Sequence, residues 1–81
     1  MDNYLEELKK IITAQFGIPE DTIEESSLLD EDLSITDLDL EDLISQIESK
    51  YDIKIPPQEA SSFKKVADIV SYLYDHVAAS I

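Results

Sequence analysis

Residues 31–56 read EDLSITDLDLEDLISQIESKYDIKIP. In the middle of this stretch Leu40, Leu43, Ile44 and Ile47 recur at helical intervals and form one apolar stripe, with Leu38 adding to its first turn. Asp39, Asp42, Ser45, Glu48 and Ser49 fall on other faces, so the spacing predicts an amphipathic helix over 37–50. Its start has two competing caps. Both Ser34-x-x-Asp37 and Thr36-x-x-Asp39 fit the capping-box spacing, in which a hydroxyl and a carboxylate satisfy each other's orphan backbone N–H groups. Downstream, Tyr51-Asp52-Ile53-Lys54-Ile55 alternates like a strand. Pro56-Pro57 follows, however, and no second strand is available to pair with it, so an extended connector with Ile53 and Ile55 buried is expected.

Working outward, Leu5, Leu8, Ile11 and Ile12 mark a first helix over 3–15. Asp2 or Asn3 can cap it, Glu6 and Glu7 suit its positive N-terminal end, and Gly17 stops it. Residues 18–35 form a long connection punctuated by Ile18, Ile23, Leu28, Leu29, Leu33 and Ile35, which are expected to pin it to the core. A proline suits the first position of a helix, so residues 57–61 can form one short turn. The last helix is expected over 65–78, with Val66, Ile69, Val70, Leu73 and Val77 turned inward. The sum is an all-α fold, a small antiparallel bundle of three main helices and a short one, as a single domain over 1–81.

Nineteen acids against six lysines and no arginine leave a formal net charge of −13. Such a surface repels phosphate backbones and anionic lipid, which disfavours nucleic acid and membranes as partners. It attracts basic protein surfaces and divalent cations, and its self-repulsion predicts low stability at low salt. No cysteine is present, which suits a reducing compartment. The start Met1-Asp2-Asn3-Tyr4 lacks the basic and apolar runs of a signal peptide, so a cytoplasmic monomer is expected.

Seven acids stand in the thirteen positions from Asp30 to Asp42. Read as a calcium loop, Asp30, Asp32, Ser34 and Glu41 occupy ligand positions 1, 3, 5 and 12, but Ile35 stands where the sharp turn needs glycine. A preformed loop is not expected, and weak divalent binding at Asp30, Asp32 and Glu41 is the most this pattern supports. Read as catalytic, Asp37 and Glu41 lie one helical turn apart, but no cysteine, arginine or glycine-rich loop accompanies them. The lone His76 suits a helix C-terminus as a cation. No catalytic residue is assigned. Read as a docking surface, the acids exceed what the helix dipole needs, since Asp37 and Glu41 repel one another at i, i+4. Steering of a basic partner accounts for the surplus.

These residues resemble the acyl carrier proteins. LEELKKIITAQFGIPEDTI looks like the family's first helix, EDL at 31–33 followed by LDLEDLISQIESKYDIKIP like its second, and EASSFKKVADIVSYLYDH like its third and fourth. The resemblance implies a four-helix carrier bundle. It also implies a 4′-phosphopantetheine arm on the serine of an Asp-Ser-Leu motif, and the triplet here is Thr36-Asp37-Leu38. Asp37 thus stands at the attachment position, where no cofactor is expected. Ser34 stands at the motif's glycine, Thr36 at its aspartate, and Glu41 at a position the family keeps apolar near the arm and acyl pocket. Departures gather around the attachment site, as natural divergence would leave them. The expectation is a binding module that meets synthase-type or acyl-transfer enzymes through Leu38, Asp39, Asp42, Glu48 and Ile55. Charge reversal at Asp39 and Asp42 is expected to weaken capture without unfolding the domain. Two alternatives remain open: a genuine carrier whose serine was replaced or whose arm attaches elsewhere, and an acidic bundle that responds to divalent cations.

Overall fold

The computed structural model describes residues 3–77. Its helices are α1 (Tyr4–Phe16), α2 (Asp37–Tyr51), α3 (Pro57–Ala60) and α4 (Val66–His76), with a 3-10 turn at Glu20–Thr22. No strand occurs among the described residues, and the only ladder element is an isolated antiparallel bridge between Leu28 and Lys65. The fold is the expected all-helical bundle.

Each helix starts and stops for a local reason. Asn3 Oδ1 accepts the Glu6 N–H at 3.2 Å and opens α1. Gly17 closes it in the left-handed region (φ 73°), with its N–H donated to the Thr13 carbonyl. At the start of α2 the competition between caps is decided for Thr36. Its hydroxyl accepts the Asp39 N–H at 3.3 Å, and Asp39 Oδ2 accepts the Thr36 N–H at 3.3 Å. The C-terminal cap of α2 is Asp52, also left-handed (φ 55°), so the helix includes Tyr51, one residue more than its apolar spacing predicts. Pro57 occupies the first turn of α3. Asp68 Oδ2 accepts the N–H groups of Lys64 and Lys65 at 2.8 and 3.0 Å and so caps α4, which begins at Val66 and not at Lys65. Ala78, placed in this helix from the sequence, lies outside the described residues.

The core draws on the three long helices and on the connections between them. Leu8 and Ile12 of α1, Leu43 and Ile47 of α2, and Val66, Ile69 and Leu73 of α4 are essentially without exposure. Tyr4 and Tyr72 join them, although neither stands among the residues expected to face inward. Leu5, Ile11, Ile53 and Val77 are only partly buried against this core. Helix α1 packs on both α2 and α4.

The long connection is held by its own apolar residues, as expected: Ile23, Leu29, Leu33 and Ile35 are buried, while Ile18 and Leu28 are half-buried. It is also hydrogen-bonded along the start of α4. Leu29 N–H donates to the Lys64 carbonyl (2.9 Å), Val66 N–H to that of Ser27 (3.0 Å), and Ala67 N–H to that of Glu25 (2.9 Å). These bonds satisfy backbone that a buried loop would otherwise leave unpaired.

Candidate functional site

The acid cluster divides into three groups with different employment. Asp30 and Asp32 belong to the loop, and Asp32 Oδ2 accepts the Leu28 N–H at 2.7 Å within a local turn. Glu41 sits on α2. Among the described residues no three acid or histidine side chains come together as a group able to hold a metal ion. The Asp30–Asp32–Glu41 set is therefore not assembled as a ligand cluster.

The second group is structural. Asp39 is half-buried and is the carboxylate of the α2 capping box, which also receives the Thr36 hydroxyl at 3.2 Å. Glu48 is half-buried, and its Oε2 accepts the Ile55 N–H at 2.7 Å, tying α2 to the connector beyond it. Ile55 itself is buried, with 6% exposure, so it is no exposed anchor for a partner. Its apolar side chain belongs to the core and borders the cleft between α2 and α3.

The third group faces solvent. Asp37 occupies the first position of α2, Leu38 follows with 75% of its surface exposed, and Glu41 and Asp42 lie exposed one turn on. An exposed leucine flanked by four acids is a surface that costs apolar hydration and gains nothing within the chain. Just before it, Ser34 holds a left-handed backbone (φ 58°), a conformation that favours glycine. The sequence signal for this strain was Ser34 standing where the resembling motif has glycine.

Beside this surface, between α2 and α3, lies a cleft of about 600 Å³. Leu40, Ile44, Ile55 and Phe63 give it apolar walls, while Asp37, Glu41 and Glu48 line it from α2. Lys64 lines it from the opposite side and also borders a smaller recess of about 230 Å³ that reaches Asp37 from the loop. The Glu41 carboxylate is exposed on the cleft's wall. Lys64 escaped the sequence reading, since only the tertiary fold brings it opposite Asp37. Another recess of about 610 Å³, between α1 and α2 at Lys10, Ile11, Gln15 and Lys50, touches none of the residues in the acid cluster.

His76 ends α4 and stacks on the Tyr72 ring (centroids 3.8 Å apart, planes 11° apart), while its Nδ1–H donates to the Tyr72 carbonyl at 3.0 Å. This is a helix-end role. Burial, and then the charges of Glu59 and Glu48, push the Tyr72 phenol above its ordinary range. No helix among the described residues is long and apolar enough to cross a membrane.

Comparison with known proteins gives a consistent picture. The family described as "Phosphopantetheine attachment site" matches residues 6–73. An acyl carrier protein of Campylobacter lari is 32% identical over 68 residues, covering 84% of this chain and 88% of its own. One from Clostridium perfringens is 35% identical over 71 residues (88% and 93%), and one from Akkermansia muciniphila is 36% identical over 73 residues (89% and 91%).

Proposed function

Because the chain belongs to the acyl carrier protein family, whose members are carriers and not enzymes, we propose that it is a carrier-type module that engages partner enzymes without bearing the arm at the usual position. One observation carries this reading: Asp37 is exposed at the first position of α2, in the Thr36-Asp37-Leu38 triplet that resembles the family's Asp-Ser-Leu motif. A carboxylate offers no hydroxyl for a stable phosphodiester. The neighbouring Thr36 hydroxyl is engaged in the capping box in both directions, accepting from the Asp39 N–H and donating to Asp39 Oδ2. On the residues present, 4′-phosphopantetheine does not fit position 37.

The same surface retains what a partner would read. Leu38 and Asp42 are exposed and make no contribution to the core, and Asp37 and Glu41 extend the negative field around them. Charge of one sign at a docking face raises encounter rates with a basic surface more than it raises final affinity. Partners of synthase or acyl-transfer type, with lysine and arginine at their docking face, suit this arrangement. Asp39 and Glu48 add to the field while serving the fold.

A second reading has one observation in its favour. Ser34 carries an exposed hydroxyl on the turn before α2, so an arm attached there would make the chain a loaded carrier. One experiment separates the two. The protein and an Asp37→Ser variant are incubated with coenzyme A and a promiscuous phosphopantetheinyl transferase, and their intact masses are measured. Gain of the arm by the variant alone supports the proposed function. Gain by the unsubstituted protein overturns it, and peptide mapping then names Ser34 or Thr36 as acceptor.

A further inference from the structure

The segment that carries α3 is held from its two ends. None of the four residues of α3 is buried, and no side chain caps its start. Before it, Glu48 Oε2 accepts the Ile55 N–H at 2.7 Å, and the Tyr72 hydroxyl donates to the Lys54 carbonyl at 3.4 Å. That N–H and that carbonyl belong to one trans peptide unit, so a side chain of α2 and one of α4 grip it on opposite edges. Of the two bonds the tyrosine's is long, whereas that to Glu48 is short and has an ionised acceptor, the stronger kind. Beyond α3, buried Phe63 meets the edge of the same Tyr72 ring, with centroids 5.6 Å apart and planes at 73°. Pro56 and Pro57 join the gripped unit to α3. Each fixes its own φ, and Pro56 also restricts Ile55, so the link between grip and helix is stiff. The orientation of the Lys54–Ile55 peptide therefore sets where α3 begins, across the cleft from Asp37 and Glu41.

From this we infer that Glu48 is a positioning residue for the docking face: it acts through the Ile55 N–H to hold α3 in place, and not as a charge that a partner contacts. The inference rests on the docking reading proposed above, in which an enzyme approaches α2 at residues 37–42. An enzyme that reaches position 37 meets Pro57, Ala60 and Ser61 on the far wall of the cleft, so a displaced α3 alters the surface it must fit. Bond and charge can be separated at Glu48, because glutamine offers an acceptor oxygen at the same place and carries no charge. Alanine removes both.

The test adds Glu48→Gln and Glu48→Ala singly to the Asp37→Ser protein. Amide hydrogen exchange compares Ile55 with Ile47, a buried residue of α2 that a general loss of stability affects as well. Glu48→Ala is expected to raise the Ile55-to-Ile47 ratio of exchange rates by about tenfold or more, and Glu48→Gln by about threefold or less. Loading of the arm from coenzyme A by the promiscuous transferase should follow the bond. It slows severalfold in Glu48→Ala and keeps most of its rate in Glu48→Gln. Equal slowing by the two variants assigns Glu48 to charge contact with the partner and overturns the inference. An unchanged exchange ratio in Glu48→Ala overturns it too, as does a raised ratio with no effect on loading. Gain of the arm by the unsubstituted protein, or no gain by the Asp37→Ser protein, counts against the docking module proposed above. The exchange ratio then decides by itself whether Glu48 positions α3, so the two readings fail separately.

Discussion

At Ser34 the backbone is left-handed, and an L-residue other than glycine sits there at a cost of about 1–2 kcal/mol. Glycine removes that cost but gives back part of it through a freer unfolded chain. Ser34→Gly is therefore expected to raise unfolding stability by about 0.5–1 kcal/mol in a urea titration. A loss of stability would mean that the Ser34 side chain contributes something its exposed position hides. Tyr72 makes a different residue-scale statement. Its phenol is held above the ordinary value of about 10 by burial first and by Glu59 and Glu48 next. The folded protein then keeps a proton over a pH range in which the unfolded chain has lost it. Stability from this residue is complete below pH of about 10 and falls as pH rises from there toward the folded value. Tyr72→Phe should flatten that alkaline decline, at a small neutral-pH cost for the long 3.4 Å bond to the Lys54 carbonyl. An unchanged slope would assign the decline to other tyrosines.

Helix α2 is where structural and docking roles of the acids separate. Asp39→Lys removes the capping-box carboxylate and places a cation at a positive helix end, so it should cost about 1–2 kcal/mol of stability. Asp42→Lys, on an exposed position with no such bond, should leave stability within about 0.5 kcal/mol while slowing transferase loading of an Asp37→Ser protein severalfold. Equal loading rates with and without Asp42→Lys would remove Asp42 from the docking face. The three long helices were legible in the sequence because their apolar residues recur every 3.6 positions and their caps use ordinary chemistry, and α3 was legible through the proline at its start. The end of α2 was not, because Asp52 adopts a glycine-like conformation that its identity does not announce. Nor was the turn at Glu20–Thr22, which is too short to show any period. Tyr4 and Tyr72 went unassigned because tyrosine is read as readily at a surface as in a core. Leu38, which the spacing adds to the first turn of the apolar stripe, is exposed instead, and its place as a partner anchor came from the family resemblance. The internal roles of Asp39, Glu48 and Ile55 depended on partners distant in space or on which of two caps prevails.

At the scale of the whole molecule, a net charge of −13 is confined to a body 33 Å in its longest dimension. At about 0.01 M salt the screening length is about 30 Å, so nearly every acid repels every other, whereas at about 0.15 M it falls to about 8 Å. The melting temperature should therefore climb by several degrees between those two salt concentrations, and a flat response would mean that local pairing already neutralises the repulsion. The three hydrogen bonds between residues 25–29 and 64–67 act at this scale as well. The helices can form from neighbours in the chain, but these bonds join segments far apart in it, and closing so large a loop defers their reward. They are expected to form after the rate-limiting barrier. Ser27→Ala, which removes the hydroxyl holding the Glu24 N–H at 3.0 Å, should then steepen escape from the native state. In stopped-flow mixing the unfolding limb rises and the refolding limb stays where it was. On that outcome the clasp sets how long the molecule lasts once folded, and leaves the speed of its assembly to the helices.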